Sequence, residues 1–580
     1  MLILGIGSFL EHDPAAALLA DGRVVAAAEE ERFSRRKHAR RELPVRAAAY
    51  CLNEAGVSGA DVDLVAVPWS EAAYYRHLWR FVRRTWRTKP SHAVKAVTKA
   101  RARNVEKRRW VAETLRSVGI DPAGVEIAWV EHHIAHASSA FHLSGFHEAA
   151  ILTLDGKGEF TATLSARGRP DGRIEVVDEV LNPDSLGLFY ATLTQFLGFE
   201  AHDGEFKVMG MAAYGDAARA PDLAPLLAID PATGDYRVND DLVWVRRAKR
   251  YEGRRFSRAL VDLLGCPPRE GDEIDQPYIH IAAAAQRRLE EAALALLETR
   301  LARDLERHGS LCLAGGCALN VRMNQRLLAH PLVRRVFVQP AAHDAGTALG
   351  AATAAAVARG ERVEPMAHAY LGPAFAPDAC RRALEAAGLA FREPPDLVDA
   401  VARLLAAGEV VAWFQGRLEW GPRALGARSI LAHPGRPGTA DRINADVKLR
   451  ERWRPFCPSV LAERAAEVLG SAHPAPFMTL SFDVPSSWRD RIGETVHVDG
   501  TARPQVVDAA TSPLYHRLIA RFEQLTGLPA VLNTSFNRRG EPVVCTPEDA
   551  LATFLGSGLR LLAIGPYLAD RRIDGGADAR

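Results

Sequence analysis

Three histidines stand close together in residues 131–136, which read Glu-His-His-Ile-Ala-His. On a helix, His132 and His136 are four residues apart and share a face, so both imidazoles can bind one cation. His133 and His136 are three apart and could also converge, so the spacing leaves both pairs open. A histidine stands where the HExxH motif has its glutamate, which argues against a zinc protease.

Two aspartates are candidate partners for these histidines. Asp155 opens the turn at 155–159, and Asp344 follows His343 in residues 340–346. Two histidines and two aspartates, with coordination positions left open, suit an octahedral divalent ion such as iron, manganese or magnesium. The alternative is a surface helix whose histidines bind no ion.

A second candidate site is rich in arginine. Residues 416–429 read GRLEWGPRALGARS, and basic residues continue through 454. Arg503 and the polar run at 533–537 follow later in the chain. Arginine forks bind phosphate oxygens bidentately, and aromatic residues such as Trp420 and Trp453 interleave with these charges. The pattern therefore predicts a polyanion site, against the alternative of a solvated arginine face.

Strand and turn patterns must position the first site. Residues 2–6 form a short apolar run, and a hairpin turn signal, Asp-Gly-Arg, at 21–23 joins the next apolar run, at 15–19, to a return strand at 24–28. Residues 151–164 repeat the strand–turn–strand pattern around the turn at 155–159. A helical pattern at 281–308 precedes an apolar run and the turn Gly315-Gly316. This ordered set resembles the α/β nucleotide-binding fold of actin, sugar kinases and Hsp70, whose turns hold phosphates.

A change of composition predicts a domain boundary. An alanine-rich helix at 351–358 gives way to Gly360 and then to three prolines by position 377. We therefore expect a first domain at 1–360 and a second at 361–580. The second begins with a predicted helix at 378–388 and a strand at 409–414, and its end is a polar, glycine-containing tail.

Composition excludes several classes of protein. The 580 residues are 48% apolar and 25% charged, which is typical of a globular protein rather than a disordered chain, collagen or coiled coil. The net charge is only +2, yet residues 76–110 hold 13 basic residues and one acid, and residues 417–454 hold nine basic and four acidic residues. The two basic segments are where anionic ligands are expected.

Cysteine use and apolar runs bear on the compartment. Seven cysteines without a CxxC pair are typical of a reducing compartment. The start, MLILGIGSFLEHD, lacks the basic segment of a signal peptide, and no apolar run of about 18 residues occurs. We expect a cytoplasmic location.

The motifs together resemble one family over nearly the whole chain: the O-carbamoyltransferases of antibiotic and nodulation-factor biosynthesis, which include the tobramycin, cephamycin and ansamycin carbamoyltransferases. The matching segments are HDPAAA at 12–17, EEERF at 29–33 with Lys37 and His38, EHHIAH at 131–136, DGKGE at 155–159, LAGGCALN at 313–320 and GPRALG at 421–426.

The resemblance implies two active sites. The first domain resembles the iron-dependent tRNA threonylcarbamoyl-transfer protein, which has the actin-like (ASKHA) fold. The second is similar to YrdC-type α/β domains, which make carbamoyl adenylates. The implied reaction joins carbamoyl phosphate to ATP, gives carbamoyl-AMP and pyrophosphate, and then transfers the carbamoyl group to a hydroxyl of a natural product.

The resemblance also implies residue roles. It favours His132 and His136 over His133 as ligands of Fe²⁺ or another divalent ion, with Asp155 and Asp344, while Mg²⁺ accompanies ATP. The nucleotide or carbamoyl-adenylate pocket of the first domain would be lined by Lys37, Asp155, Gly156, Gly158, Ser185, Gly316 and Asn320. Carbamoyl phosphate and ATP would be held in the second domain by Arg423, Lys448, Arg454, Arg503, Asn533 and Ser535.

His12 follows the first strand and is the candidate catalytic base for the acceptor hydroxyl, because an imidazole titrates near neutrality. The alternative is that His12 only hydrogen-bonds the acceptor. Pro14 departs from the small non-proline residue expected there, which puts the local fit to the acceptor in doubt.

Two other functions are consistent with parts of the chain. An actin-like kinase or ATPase with a regulatory C-terminal domain would release ADP rather than AMP and pyrophosphate. An RNA-binding protein would use residues 76–110, where Trp79, Phe81, Trp86 and Trp110 interleave with the charges. Their roughly helical spacing instead favours an amphipathic helical insert that packs on the body. We expect a small-molecule acceptor, a homodimer, and no nucleic acid or membrane partner.

Overall fold

The computed structural model describes residues 1–9, 12–245 and 247–571. The chain forms two compact units: unit 1 comprises Met1–Glu30 and Ala39–Met366, and unit 2 comprises Glu31–His38 and the chain from Ala367. The boundary predicted at 360/361 lies a few residues before this division. The grouping of the short segment Glu31–His38 with unit 2 is not visible in the sequence. The predicted polar tail falls largely outside the described residues.

Unit 1 contains two five-stranded sheets. The first has strands in the order β3-β2-β1-β4-β5, in which β1, β2 and β3 are antiparallel and β1, β4 and β5 are parallel. Its strands are β1 (Leu2–Gly7), β2 (Ala15–Ala20), β3 (Arg23–Glu29), β4 (Leu64–Val67) and β5 (Glu126–Trp129). The hairpin predicted at 21–23 therefore joins β2 to β3.

The second sheet repeats that topology. Its order is β12-β11-β6-β7-β8, with β6, β7 and β8 antiparallel and β6, β11 and β12 parallel. Its strands are β6 (Ala149–Leu154), β7 (Thr161–Gly168), β8 (Ile174–Leu181), β11 (Ser310–Ala314) and β12 (Arg335–Val338), while β9 (Leu227–Ile229) and β10 (Tyr236–Val238) form a separate ribbon. A duplicated sheet of this order is the actin-like fold, so the predicted fold class is confirmed.

Two helices, α6 and α13, pack tightly in unit 1. The helices up to residue 366 are α1 (Glu31–Ser34), α2 (Val45–Ala55), α3 (Glu71–Thr85), α4 (Pro90–Thr98), α5 (Ala100–Ser117), α6 (His132–Phe141), α7 (Leu186–Phe196), α8 (Glu205–Ala212), α9 (Arg258–Leu264), α10 (Tyr278–Leu296), α11 (Ala302–His308), α12 (Val321–Leu328) and α13 (Ala345–Ala358). A Cβ added at Gly350 of α13 would lie 1.8 Å from the carbonyl oxygen of Ala135 in α6. A Cβ at Gly5 of β1 would lie 2.0 Å from the carbonyl oxygen of Ala348. Only glycine permits these backbones to approach so closely.

Two predicted helices differ in detail. The pattern at 281–308 is not one regular helix, because a π-helical turn at Leu297–Leu301 separates α10 from α11. The wider turn keeps Leu297 and Leu301 both fully buried.

The basic insert is three helices, α3, α4 and α5, rather than one. Tyr74 and Leu78 pack on Ala96, Ala100 and Phe160 with Phe81 alongside, so the insert does pack on the body. Trp79, in α3 but outside this contact, and Trp86, which directly follows α3, are exposed.

Unit 2 is also α/β, as predicted for a YrdC-like domain. Its main sheet has eight strands in the order β13-β22-β21-β14-β15-β20-β16-β19, with a small β17–β18 ribbon beside it. The strands are β13 (Phe391–Arg392), β14 (Val411–Phe414), β15 (Arg428–Ala432), β16 (Cys457–Leu461), β17 (Phe482–Asp483), β18 (Thr501–Ala502), β19 (Gln505–Val507), β20 (Ala530–Ser535), β21 (Leu561–Ile564) and β22 (Tyr567–Asp570). The helices are α14 (Pro377–Ala386), α15 (Leu397–Ala406), α16 (Thr439–Ile443), α17 (Ala465–Leu469), α18 (Ser486–Arg489), α19 (Pro513–Thr526) and α20 (Pro547–Leu555). Among the described residues, every helix is too short or too polar to cross a bilayer.

The contact between α6 and α13 is testable by adding one methyl group. We expect Gly350→Ala to lower the free energy of unfolding by about 1–3 kcal/mol, because the new Cβ displaces the backbone of α6. Gly493→Ala is the matched control, since a Cβ there meets nothing within 4 Å. Thermal unfolding of both variants measures the difference, and equal stability would contradict close packing at Gly350.

Candidate metal centre and anion site

Three elements of unit 1 bring the predicted metal ligands together. His132 is the first residue of α6, and His136 lies one turn further on. Asp155 follows the last residue of β6, and Asp344 immediately precedes α13. Because α6 packs on α13 and β6 runs beside α6, the ends of these elements meet at one point.

The four side chains form one buried cluster. His132 Nε2 lies 3.6 Å from Asp155 Oδ2 and 3.5 Å from Asp344 Oδ1, and His136 Nε2 lies 3.6 Å from Asp344 Oδ1. One ligand atom from each of the four residues falls within 4.8 Å of the others. This spacing is comparable with the roughly 3–4.5 Å between ligand atoms around one divalent ion.

The electrostatics of the cluster favour a cation at its centre. His132 Nε2 and both ring nitrogens of His136 are buried without a hydrogen bond among the described residues. Burial disfavours charge on His132, yet the neighbouring carboxylates of Asp344 and Asp155 outweigh it and raise its pKa to about 9. The two carboxylates thus favour positive charge between them. The residues therefore fit a divalent ion with nitrogen and oxygen ligands.

His133 does not join the cluster. Its Nδ1 lies 2.6 Å from Thr153 Oγ1 of β6, and burial followed by repulsion from His132 and His136 lowers its pKa to about 3. The spacing left His133 and His132 as equal candidates. The structure places His132 with His136, because the side chain of His133 is turned toward β6.

Glu159 is a site residue that the sequence pattern did not single out. It is buried at the end of the turn at 155–159, where its carboxylate accepts hydrogen bonds from the backbone N–H groups of Ser70 and His132. Burial raises its pKa. By bonding the first residue of α6, Glu159 fixes where the helix begins. Its position three residues after Gly156 in a DGKGE turn was the available signal.

His12 lies at the edge of the metal cluster. Its Nδ1 is 3.1 Å from Asp13 Oδ2, and its Nε2 is 3.9 Å from Asp344 Oδ2. The ring stacks on His202 with centroids 5.7 Å apart, and His202 in turn contacts the ring of Trp244. Sequence reasoning missed His202 and Trp244, because they come from a region without motifs.

The predicted nucleotide-binding residues of unit 1 surround Asp155. The backbone N–H of Gly316 donates to Asp155 Oδ1 at 2.9 Å. Ser185 Oγ donates to the carbonyl oxygen of Gly156 and accepts from the N–H of Leu188, where it caps α7. A Cβ at Gly158 would lie 2.8 Å from the Cβ of His132, so this glycine lets the turn approach α6.

Two predicted nucleotide-binding residues differ from that group. Asn320 caps α12 and exchanges two hydrogen bonds with Gln286 of α10, at 2.8 and 2.9 Å. Lys37 lies in the segment Glu31–His38 that belongs to unit 2, outside the unit that holds the other predicted residues. The sequence could not show this, because Lys37 follows β3 directly in the chain.

Unit 2 gathers uncompensated positive charge. Burial disfavours the charged form of Arg423, and repulsion from Arg503 and Arg454 adds to this effect. Together they lower the pKa of Arg423 to about 9. Burial and the neighbouring arginines also lower the pKa values of Lys448 and Arg450. Arg423 Nε and Arg450 Nη2 are buried and lack hydrogen-bond partners among the described residues. Glu451 lies 3.6 Å from Arg454 and offsets part of this positive charge. A bound anion would relieve the remaining repulsion among the basic side chains.

The strands of the main sheet position these groups. Arg503, just before β19, directs Nε and Nη2 to the sulfur of Cys457 in β16, at 3.2 and 3.0 Å. Lys448 donates to the side chains of Ser535 and Asn537 at the end of β20, at 3.3 and 2.9 Å. Asn533, opposite Cys457 in the ladder between β20 and β16, leaves its Oδ1 buried without a partner.

Glu419 and Gln505 are further polar residues that sequence reasoning passed over in unit 2. Glu419 Oε1 accepts hydrogen bonds from the backbone N–H groups of Leu425, Ala427 and Arg428, and so holds the loop that carries Arg423. Gln505 bonds Ser459 and Asn533 through Oε1, at 2.9 and 3.3 Å. The lone acid in an arginine-rich loop was a signal for the role of Glu419.

Comparison with known proteins matches both units. A family model described as the carbamoyltransferase N-terminus matches residues 2–353, and one described as the carbamoyltransferase C-terminus matches residues 402–571. The chain is 38% identical over 571 residues to nodulation protein NolNO of Sinorhizobium fredii, covering 97% of this chain and 79% of that protein. It is 35% identical over 606 residues to the uncharacterized protein sll1178 of Synechocystis sp., covering 98% and 96% of the two chains.

Solved structures give weaker likenesses. ROK hexokinase from Thermus thermophilus is 16% identical with a TM-score of 0.27, covering 61% of this chain and 97% of that chain. HypF from T. kodakarensis is 14% identical with a TM-score of 0.30, covering 62% of this chain and 48% of that chain. At these scores the likenesses support no argument about this protein.

Metal content tests the cluster directly. We expect the purified protein to bind one equivalent of Fe²⁺ added without oxygen, and His136→Ala to weaken that binding by about tenfold or more, because a ligand nitrogen is lost. His133→Asn is the control, since His133 lies in the same helix and bonds Thr153 instead. Elemental analysis after equilibrium dialysis measures both variants. Equal loss in the two variants would contradict the assignment of ligands.

Proposed function

The chain belongs to the carbamoyltransferase family, and on that premise we propose that it is an ATP-dependent O-carbamoyltransferase with one reaction in each unit. Unit 2 makes carbamoyl-AMP from carbamoyl phosphate and ATP. Unit 1 transfers the carbamoyl group from carbamoyl-AMP to a hydroxyl of a small natural product. Support comes from two separate polar sites: a cluster of four metal-type ligands in unit 1 and a cluster of uncompensated cations in unit 2.

The reaction assigned to unit 2 must account for every phosphorus atom of ATP and of carbamoyl phosphate. Carbamoyl-AMP keeps only the α-phosphate of ATP, so the β- and γ-phosphates leave as pyrophosphate. The phosphate of carbamoyl phosphate leaves as inorganic phosphate after reaction with water, and the resulting carbamate oxygen attacks the α-phosphorus. Arg423, Arg454 and Arg503 bind the phosphate oxygens, because guanidinium groups donate bidentately to phosphate. Mg²⁺ accompanies ATP in this step.

Lys448, Asn533 and Ser535 orient the small carbamoyl group. The buried Oδ1 of Asn533 is an unused acceptor that suits the carbamoyl amide N–H. Lys448 is held between the side chains of Ser535 and Asn537, which fixes the position of its amine.

The transfer reaction in unit 1 joins the acceptor oxygen to the carbamoyl carbon and releases AMP. Fe²⁺ or another divalent ion held by His132, His136, Asp155 and Asp344 would neutralise charge on the phosphate of the departing AMP. The turn glycines Gly156, Gly158 and Gly316, with Ser185 and Asn320, form the nucleotide pocket around Asp155.

His12 is the proposed base for the acceptor hydroxyl. If its Nδ1–H donates to Asp13, as the 3.1 Å distance allows, Nε2 carries the lone pair that accepts the proton. Nε2 faces the side of the metal cluster, 3.9 Å from Asp344. This arrangement suits an acceptor oxygen that lies between His12 and the carbamoyl carbon.

The acceptor is proposed to be a small molecule with a free hydroxyl. Support comes from relatives named as nodulation proteins, among them NolO of Bradyrhizobium diazoefficiens, 38% identical over 452 residues. A homodimer in the cytoplasm is proposed for this chain, as expected from the sequence.

The products of the first reaction separate this proposal from a kinase. With ATP, Mg²⁺ and carbamoyl phosphate, we expect AMP-linked product and pyrophosphate in equal amounts, with inorganic phosphate released alongside. Coupled assays for pyrophosphate and ADP measure the two outcomes in one sample. ADP without pyrophosphate would instead support the actin-like kinase or ATPase.

Single substitutions should separate the two reactions. Arg423→Ala should reduce pyrophosphate release by roughly 10²–10³-fold, because one phosphate-binding fork is lost, while Fe²⁺ binding is retained. His136→Ala should abolish carbamoyl transfer while pyrophosphate release continues. Loss of both activities in folded His136→Ala, or loss of Fe²⁺ binding in folded Arg423→Ala, would contradict separate sites. Arg417→Ala is a control for the arginine-rich loop, because Arg417 bonds the backbone of Leu371 and Gly372.

A further inference from the structure

The basic insert of unit 1, formed by α3, α4 and α5, exposes an unusual amount of apolar surface. Eleven large hydrophobic side chains are exposed in the described part of the chain, and six of them lie in these three helices. The six are Tyr75, Trp79, Trp86, Val94, Val97 and Val105. Clustered exposure of this kind marks a surface that binds something, whereas single exposed hydrophobic residues do not.

The outer face of α3 carries the aromatic residues in one row. Tyr75, Trp79 and the C-cap residue Trp86 are four and seven residues apart, so they lie on one side of the helix along about 16 Å. Trp79 is 67% exposed and Trp86 is 56% exposed. The adjoining side of α3, with Tyr74 and Leu78, is already packed against the protein. The outer row is therefore not part of the core of unit 1.

Arginines flank this aromatic row. Arg80, Arg83 and Arg87 form no ion pair with any described residue, whereas Arg76 pairs with Glu131 and Arg84 pairs with Asp184. Segment 76–110 as a whole holds 13 basic residues and one acid. The face thus combines unpaired positive charge with exposed aromatic side chains.

We propose that this face binds the surface of a bilayer containing anionic phospholipid. Tryptophan and tyrosine rings favour the headgroup region, and each nearby arginine adds attraction to anionic lipid. The exposed valines of α4 and α5, in the same insert, favour this partner over single-stranded nucleic acid, because aliphatic side chains suit the acyl boundary but do not stack on bases. A symmetric contact with a second copy of the same face would place like charges together.

The proposed contact is peripheral and is independent of the proposed reaction. It differs from the expectation, drawn from the sequence, that the protein has no membrane partner. That expectation came from the near-zero net charge and the lack of a spanning segment, and neither describes how charge and apolar area are distributed on the folded surface. The structure adds that distribution.

Vesicle sedimentation with the full-length protein tests the proposal. Sucrose-loaded vesicles of phosphatidylcholine alone are compared with vesicles in which phosphatidylglycerol replaces one lipid in three. We expect binding to the anionic vesicles only, and we expect that binding to weaken as the salt concentration is raised.

Arg80→Gln/Arg83→Gln/Arg87→Gln should reduce the partition coefficient by about 100-fold. Trp79→Ser/Trp86→Ser should reduce it by about tenfold or more, because the interfacial rings are lost.

A charge-matched control separates this face from overall charge. Arg173→Gln/Arg258→Gln/Arg382→Gln removes the same three charges from exposed arginines elsewhere in the chain. The control should bind anionic vesicles like the unaltered protein, and pyrophosphate release should be unchanged in all three variants. Equal binding to both kinds of vesicle, or equal loss in the control, would overturn the proposal. Tight binding of a single-stranded RNA oligomer without vesicle binding would also overturn it, in favour of a nucleic-acid surface.

Discussion

The close packing of α6 on α13 is the contact on which the candidate metal centre depends. Gly350 and Ala135 let the two backbones approach until only glycine fits, and Gly5 brings β1 against the other side of α13. Asp344 immediately precedes α13, and His132 begins α6. The separation of these helices therefore sets the 3.5 Å distance between His132 Nε2 and Asp344 Oδ1. A larger residue at Gly350 would move ligands that stand several residues away from it.

Both candidate sites contain charge that their own residues do not neutralise. In unit 1, two carboxylates face His132 and raise its pKa, and the ring nitrogens of His136 lack hydrogen-bond partners among the described residues. In unit 2, Arg454 repels Arg423, Lys448 and Arg450, and burial adds to the cost of charge on each of them. Such arrangements cost folding free energy unless a ligand of opposite charge binds, so they favour binding sites over structural ion pairs. A cation suits the first site and an anion suits the second.

Site residues held by contacts between neighbours in the chain could be predicted from the sequence, whereas those held by contacts between distant residues could not. The hairpin at 21–23, the strand at 151–154 and the arginine-rich loop are local patterns, and the sequence predicted each. The roles of Glu159, Gln286 and Glu419 depend on hydrogen bonds to residues distant in the chain or to a loop backbone, so motif position marked Glu159 and Glu419 as candidates at most and did not give their partners. The grouping of Lys37 with unit 2 likewise depends on contacts formed only in the folded chain. The same holds for the exposed Trp79 and Trp86, because helical spacing gives the face of a residue but not which face is buried.

The sequence by itself determined the family, the α/β class, the actin-like order of turns and the residue types at both candidate sites. These follow from periodicity, turn chemistry and ordered motifs, which are properties of neighbouring residues. Only the tertiary structure decided that His132 rather than His133 joins His136, because the choice depends on the hydrogen bond between His133 and Thr153 of β6. It also decided that, of the two basic segments visible in the sequence, one forms a buried cationic cluster and the other an exposed basic, aromatic face. Folding brings distant charges together and buries their partners, and a sum along the chain contains neither distance nor burial.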